Sequence, residues 1–181
     1  MRVTGGIYRN HRLKVPLKDI RPTTDRLREA IFSLLISKGV IFNQIAFLDL
    51  FSGSGAGGVE AASRGAVSVS LVERDHGKKR FLLHNTRFVD SEISIHIIPA
   101  ELFLMRQKKQ WDVIFIDPPY RYKYKKELLS SIVQRKLISE SSIVMVHSSV
   151  KENLMIESEI LCCFDRRQYG GAILWFFQLV V

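Results

Sequence analysis

Asp49-Leu50-Phe51-Ser52-Gly53-Ser54-Gly55-Ala56-Gly57-Gly58 is the stretch on which the fold turns. The short apolar strand Ala46–Phe51 runs into it, and the glycines allow a tight turn and a close approach of backbone to a ligand. Downstream the same pattern of strand, turn and helix recurs. Strands are expected at Val67–Val72, Ile93–Ile98, Asp112–Ile116 and Ser142–His147, with helices at about His76–Phe88, Ala100–Lys109 and Lys125–Lys136 between them. Short apolar strands separated by helices predict an α/β fold with a doubly wound, mostly parallel sheet covered on both faces. Two last strands, about Ile160–Arg167 and Ala172–Val180, flank the turn signal Gly170-Gly171 and suggest one antiparallel strand at or near the sheet edge.

Upstream, the first 20 residues alternate short apolar groups with Arg, Lys and His, and read as a small β-rich arm. Arg21-Pro22-Thr23-Thr24 then opens a helix capped by Thr23 or Thr24. Leu27, Ala30, Ile31, Leu34 and Leu35 line one face of that helix, with Arg26, Arg28 and Glu29 off it. Residues 1–45, the basic arm and helix, are read as part of the same domain as residues 46–181, and 181 residues suit one domain with a substantial core.

Ligands of such sheets bind beyond the carboxyl ends of the strands. Gly53, Gly55 and Gly58 satisfy G-x-G-x-x-G, so a dinucleotide site enters consideration. Asp49 argues against it, because a carboxylate just ahead of the loop repels a pyrophosphate. A ligand carrying a sulfonium and an ammonium is cationic and favours an acid there. G-x-x-x-x-G-K-[ST] does not occur, which removes the P-loop reading. Glu73 ends the second strand, 24 residues after Asp49, where an acid accepts hydrogen bonds from ribose hydroxyls. It supports a nucleoside without choosing which, and a solvated strand-end acid is the plainer alternative. Glu101 either approaches an adenine or caps its own helix.

Asp117-Pro118-Pro119-Tyr120 follows an apolar strand. Two prolines fix the backbone and remove two N–H donors, leaving a carboxylate, carbonyls and an aromatic ring. That set suits an aromatic amine. An exocyclic NH2 is a weak nucleophile because its lone pair is delocalised into the ring. Accepting its N–H bonds, by the Asp117 carboxylate and the Pro118 carbonyl, localises the pair, while Tyr120 stacks on a base drawn from its helix. The competing reading is a proline-rich turn with a buried tyrosine. Lys123, Lys125 and Lys126 either meet phosphate or begin a solvated helix.

Composition narrows the partners. The chain has 27 Lys and Arg against 18 Asp and Glu, a net charge of +9. Nine of the basic residues and three of the acids fall in residues 1–45, so +6 of the excess lies there. A localised positive excess points to a polyanion, nucleic acid before membrane, or else to a plain basic surface. A hydrophobic fraction of 46% argues against disorder. Cys162 and Cys163 are neighbours on a strand and do not suit a disulfide, which fits packing residues in a reducing cytoplasm. His11, His76, His84, His96 and His147 show no metal-ligand spacing, so no metal is expected. The first residues lack the apolar stretch of a signal peptide, and Ile173–Val181 is too short to span a bilayer.

Asp49–Gly55 and Asp117–Tyr120 together resemble class I S-adenosylmethionine methyltransferases that act on amino groups. Thr4-Gly5-Gly6, Arg9 to Leu13, Pro16 and the run Arg21-Pro22-Thr23-Thr24-Asp25-Arg26-Leu27-Arg28-Glu29 resemble more narrowly the bacterial 16S ribosomal RNA guanine-N2 methyltransferases, the guanine-966 enzymes. The resemblance covers nearly the whole chain, and the R-P-T-T-D-R-x-R-E run is its most specific part. It implies a seven-stranded Rossmann-like sheet, S-adenosylmethionine as donor and a guanine of small-subunit RNA as acceptor. Asp117, Pro118, Pro119 and Tyr120 take the catalytic positions. Asp49, Phe51, Gly53, Ser54, Gly55, Glu73, Ala100 and Glu101 take the cofactor side, and Arg9, Arg12, Arg21, Thr24, Arg26 and Arg28 the RNA side. Where the family often has Asn or Asp before the alanine after the third strand, this chain has Pro99, which turns adenine recognition toward backbone or Glu101.

The expectation is therefore a cytoplasmic, monomeric rRNA (guanine-N2) methyltransferase whose partner is 16S RNA within the small ribosomal subunit or an assembly intermediate. Two rivals remain. A DNA adenine-N6 methyltransferase shares the Asp-Pro-Pro-Tyr chemistry but usually adds a target-recognition domain, for which 181 residues leave little room. A non-catalytic RNA-binding assembly factor of the same fold is disfavoured by the intact motif. A dehydrogenase stands further off.

Overall fold

The computed structural model describes residues 1–16, 24–156 and 159–180. Its elements are helix α1 (Asp25–Ser37), strand β1 (Ala46–Asp49), α2 (Ala56–Ser63), β2 (Ser68–Glu73), α3 (Lys79–Thr86), β3 (Glu92–Ile97), α4 (Ala100–Arg106), β4 (Val113–Ile116), α5 (Lys125–Gln134), β5 (Ile143–Ser149), β6 (Leu161–Tyr169) and β7 (Ala172–Leu179). The strands form one seven-stranded sheet in the order β3-β2-β1-β4-β5-β7-β6. The first five run parallel. β7 is antiparallel to both neighbours and slots between β5 and β6. The expected antiparallel strand thus lies one place in from the edge.

The central strands are apolar on both faces because helices cover both, as parallel sheets require. One face packs Leu48, Ile114, Val144 and Trp175 against α4 and α5 through residues such as Leu104 and Leu129. The other packs Phe47, Val69, Phe115 and Met145 against α1, α2 and α3 through Phe32, Ala61 and Leu82. None of the helices among the described residues is long and apolar enough to cross a membrane.

Two expectations need correcting. The described part of the first 20 residues forms a hairpin-like loop with a single β-bridge, Arg2 to Arg12, rather than a β-rich arm. It is pinned to α2 and α3 by Val3, Leu13 and Val59 and by side-chain hydrogen bonds. The expected face of α1 meets the core through Ile31 and Leu35, with Leu27 and Leu34 half-buried beside them, but the buried set also takes in Arg28 and Phe32. Glu60, fully buried on α2, draws the Arg28 guanidinium inward (Nε to Oε2 3.3 Å). Thr24 is the N-cap of α1, its hydroxyl accepting from Leu27 N at 3.2 Å.

Candidate active site

β1 ends at Asp49, and the chain turns through Gly53 (φ +54) and Gly55 (φ +85) before α2 begins at Ala56. Both glycines hold left-handed backbone that L side chains rarely adopt. The turn is tied to β2 from two sides. Ser52 N donates to Val72 O (2.9 Å), and Gly53 N donates to Glu73 Oε2 (2.9 Å). The other oxygen of Glu73 accepts from Asp75 N at 2.9 Å. Glu73 is thus a strand-end carboxylate fixed at the rim of the loop, with lone pairs left for ribose hydroxyls.

Asp49 is buried, and its Oδ1 has no hydrogen-bond partner among the described residues. Burial pushes its carboxyl up to about 8, and the charges of Asp117 and Glu73 push in the same direction, against the Phe51 and Gly58 amides. An orphaned buried oxygen beside two further carboxylates is a site that a cation completes. The residues therefore fit a ligand with an ammonium and a sulfonium, and they do not fit a pyrophosphate.

Asp117 stands next to this loop because β1 and β4 pair in register: Asp49 faces Phe115, and Leu50 N donates to Phe115 O at 3.0 Å. Pro118 is buried, and Pro119 and Tyr120 are exposed. Tyr120, 53% exposed, offers its ring to a cleft lined by Arg121, Tyr122, Lys123, Ser149, Lys151 and Glu152. Asp49 and Asp117 thus meet at the carboxyl ends of two central strands.

Of the residues expected on the adenosine side, Ala100 is buried at the start of α4, and Glu101 lies in its first turn without capping it. Instead the Glu101 carboxylate accepts from Tyr122 Oη at 2.6 Å. The Tyr122 ring meets Phe51 edge-on at 5.0 Å. Burial and the Glu101 carboxylate raise the Tyr122 phenol, so it stays a donor.

The expected RNA side divides. Arg9, Arg12, Thr24 and Arg26 are exposed, and Arg21 lies outside the described residues. Arg28 is buried, paired with Glu60 and with Asp25 (2.8 Å), and bonded to Arg2 O. It braces the fold instead of meeting RNA. The turn carrying Arg9 packs against Ser63, at the end of α2 away from the glycine loop. An eight-residue helix puts about 12 Å between the two. Lys125 also changes role: it is buried, pairing with Glu152 and donating to Tyr122 O, each at 2.6 Å. Lys126 donates to Met155 O. The basic groups that line the cleft beside Tyr120 are Arg121, Lys123 and Lys151.

A family model described as Conserved hypothetical protein 95 matches residues 1–178. Ribosomal RNA small subunit methyltransferase D of Escherichia coli (strain K12) is 31% identical over 163 residues, covering 85% of this chain and 77% of the relative. The chain belongs to the ribosomal RNA small subunit methyltransferase D family. The protein of that name from Buchnera aphidicola (subsp. Acyrthosiphon pisum) is 32% identical over 77% of this chain and 73% of its own. Among solved structures, a Thermus thermophilus protein superposes with a TM-score of 0.83 at 31% identity, over 97% of this chain and 98% of that one. The yhhF protein of Escherichia coli gives 0.87 at 27%, over 100% and 98%.

In this member of the methyltransferase D family, three residues of the site escaped the sequence reading. His147 Nδ1 lies 2.6 Å from Asp117 Oδ1. Tyr122 joins Phe51 to Glu101. Asn85, fully buried, donates to both Ser54 O and Lys14 O (2.8 Å each) and accepts from Lys14 N, tying the N-terminal loop to the glycine turn. The one signal available for His147 was positional. Aligning the carboxyl ends of the fourth and fifth strands places it beside Asp117.

Proposed function

We propose that the chain transfers a methyl group from S-adenosylmethionine to the exocyclic N2 amine of a guanine in 16S ribosomal RNA of the small subunit. The observation that carries this reading is the adjacency of the orphaned, buried Asp49 to Asp117 across the β1–β4 ladder. It sets a site for a cation against a site for an aromatic amine.

When bound, S-adenosylmethionine supplies a methyl group already activated by its positively charged sulfur. Asp49 answers the ammonium, Gly53, Ser54 and Gly55 present backbone to the donor, and Glu73 accepts from the ribose hydroxyls. Phe51, Ala100 and Glu101 border the adenine. On the other side the Asp117 carboxylate and the Pro118 carbonyl accept the two N–H bonds of the amine, so its lone pair points outward, and its surplus proton leaves along the bond to Asp117. Tyr120 stacks on the guanine, and its flanking phosphates meet Arg121, Lys123 and Lys151. Proximity accounts for much of the rate, because the acceptor is held where a bimolecular encounter rarely brings it.

Phosphate contacts fix position and carry little sequence information, and base-specific reading of RNA usually takes extensive contact with splayed bases. Selectivity for one guanine then rests on the shape of a folded target. The test is transfer of labelled methyl to small subunits, naked 16S RNA and duplex DNA at matched salt, with the product nucleoside identified by mass spectrometry. N2-methylguanine formed fastest on the particle, with DNA inert, is expected. Methyladenine in DNA would establish the first rival instead. Absence of transfer to any substrate, with RNA still bound, would establish the assembly factor.

A further inference from the structure

β4 and β5 run parallel with Ile116 opposite Val146, so Asp117 and His147 are the next pair beyond the ladder and emerge side by side. Their side chains meet at 2.6 Å, Nδ1 to Oδ1. A carboxylate only accepts, so the proton between them belongs to Nδ1. The other ring nitrogen, Nε2, is buried and has no partner among the described residues. A proton there would be a donor with nothing to receive it, and buried orphan N–H groups are the costlier kind. The neutral tautomer with Nδ1–H and a bare Nε2 is the one this site selects.

We propose that His147 is a positioning residue for the acceptor: its Nδ1–H holds one oxygen of Asp117 and so fixes the orientation in which that carboxylate meets the amine. This rests on the methyl-transfer reading above. An arginine or lysine in the same place would hold Asp117 equally well but cancel the charge that draws on the amine's N–H bonds. A neutral imidazole fixes the geometry and leaves the charge. The same ring also stands edge-on to Tyr120 (centroids 6.3 Å, interplanar 62°), so one side chain backs both the acid and the stacking aromatic. The strand end that carries it is itself secured, because the next residue, Ser148, accepts from the buried Trp175 Nε1 at 2.8 Å.

Two variants and one spectroscopic readout test this. His147→Leu keeps the bulk and loses the donor, whereas His147→Asn keeps an N–H near the Nδ1 position. Single-turnover methylation of small subunits should fall about 10²-fold in His147→Leu, the scale of an ångström-sized misplacement, and recover most of that in His147→Asn. The affinity for S-adenosylhomocysteine and the KM for RNA should stay at wild-type values in both. Equal rates in wild type and His147→Leu overturn the proposal, and so does an equal fall in both variants accompanied by lost thermal stability. Independently, imidazole 15N shifts should show His147 protonated on Nδ1 in wild type, with that proton's downfield resonance absent in Asp117→Ala. A ring protonated on Nε2 overturns the pairing whether or not the chain methylates RNA. Wild type that carries the Nδ1 proton yet transfers no methyl would defeat the methyl-transfer reading and, with it, the positioning role.

Discussion

A Cβ added to Gly57 would stand 2.6 Å from Oδ2 of Asp49, so the second residue of α2 is the wall against which that buried carboxylate rests. The same Cβ would meet the Phe115 ring at 3.3 Å. Alanine gains helix propensity here, yet neither neighbour has room to retreat: one is a buried acid and the other a buried strand residue. Gly57→Ala is expected to destabilise by about 1–3 kcal/mol in urea denaturation, as overpacked cores do. Because Asp49 must move, it should also weaken S-adenosylhomocysteine binding roughly tenfold or more in calorimetry, at about 1.4 kcal/mol per decade. Wild-type affinity in a folded Gly57→Ala protein would show that Asp49 does not touch the ligand.

Asp49 also predicts a pH dependence. Burial raises its folded value to about 8, above that of an unfolded carboxylate, so the folded state binds the proton more tightly. Its contribution to stability is then fully present at low pH and is lost as pH rises through about 8. Binding an ammonium has the opposite preference, because it needs the ionised acid. Affinity should therefore climb from about pH 6 toward 8, with about one proton released per ligand at the lower end. Titrations in buffers of different ionisation heat measure that proton, and Asp49→Asn should abolish its release. No proton release in wild type at low pH would mean that the acid is already charged.

Arg26 and Arg28 are separated by one residue and differ in fate. Glu60 collects Thr4 N (2.8 Å), Thr4 Oγ1 (2.7 Å), Arg64 and Arg28 on one buried carboxylate. Removing Arg28 leaves that carboxylate short of a charged donor, at a cost of about 2–3 kcal/mol. Arg28→Ala should lower the thermal midpoint and leave the salt dependence of RNA binding alone. Arg26→Ala should do the reverse, reducing the slope of log K against log salt by about one if it meets a phosphate. An unchanged slope would free Arg26 from the RNA side.

Tyr122→Phe removes the 2.6 Å bond that holds Glu101 and keeps the ring against Phe51. Glu101 then returns to solvent. A change of about 1.5–3 kcal/mol in the affinity for S-adenosylhomocysteine is the range for a hydrogen bond to a charged group. Unaltered binding would place the adenine away from Glu101. Adenosine alone as the ligand separates this effect from that of Asp49.

The sheet was legible in the sequence because its strands are short apolar runs punctuated by turn residues, and each observed strand begins and ends close to where the pattern puts it. The Gly53–Gly55 turn and the Asp117–Tyr120 corner were legible for a related reason: each is contiguous, and its chemistry follows from residues that touch in sequence. What escaped lies across sequence gaps. Arg28 looks like a surface residue until Glu60, 32 positions later, is seen to be buried beneath it. Asn85 reaches Lys14 over 71 residues, and His147 reaches Asp117 over 30. A helical pattern records polarity and not the counter-charge waiting on another element. For the same reason the lysines after the motif looked alike, although Lys125 turned inward to Glu152.

The placement of β7 between β5 and β6 bears on how the protein is made. During synthesis the glycine turn, β2 and β3 leave the ribosome early and can pair at once. β5, with Val144, Met145 and Val146 wholly buried in the finished protein, has only β4 beside it until Ala172–Leu179 has emerged. For that interval an apolar strand edge is open to any passing strand, the situation that invites aggregation. Nascent chains stalled before residue 172 should therefore need a chaperone more than chains stalled within the first half, and His147 reaches its final setting among the last residues to do so.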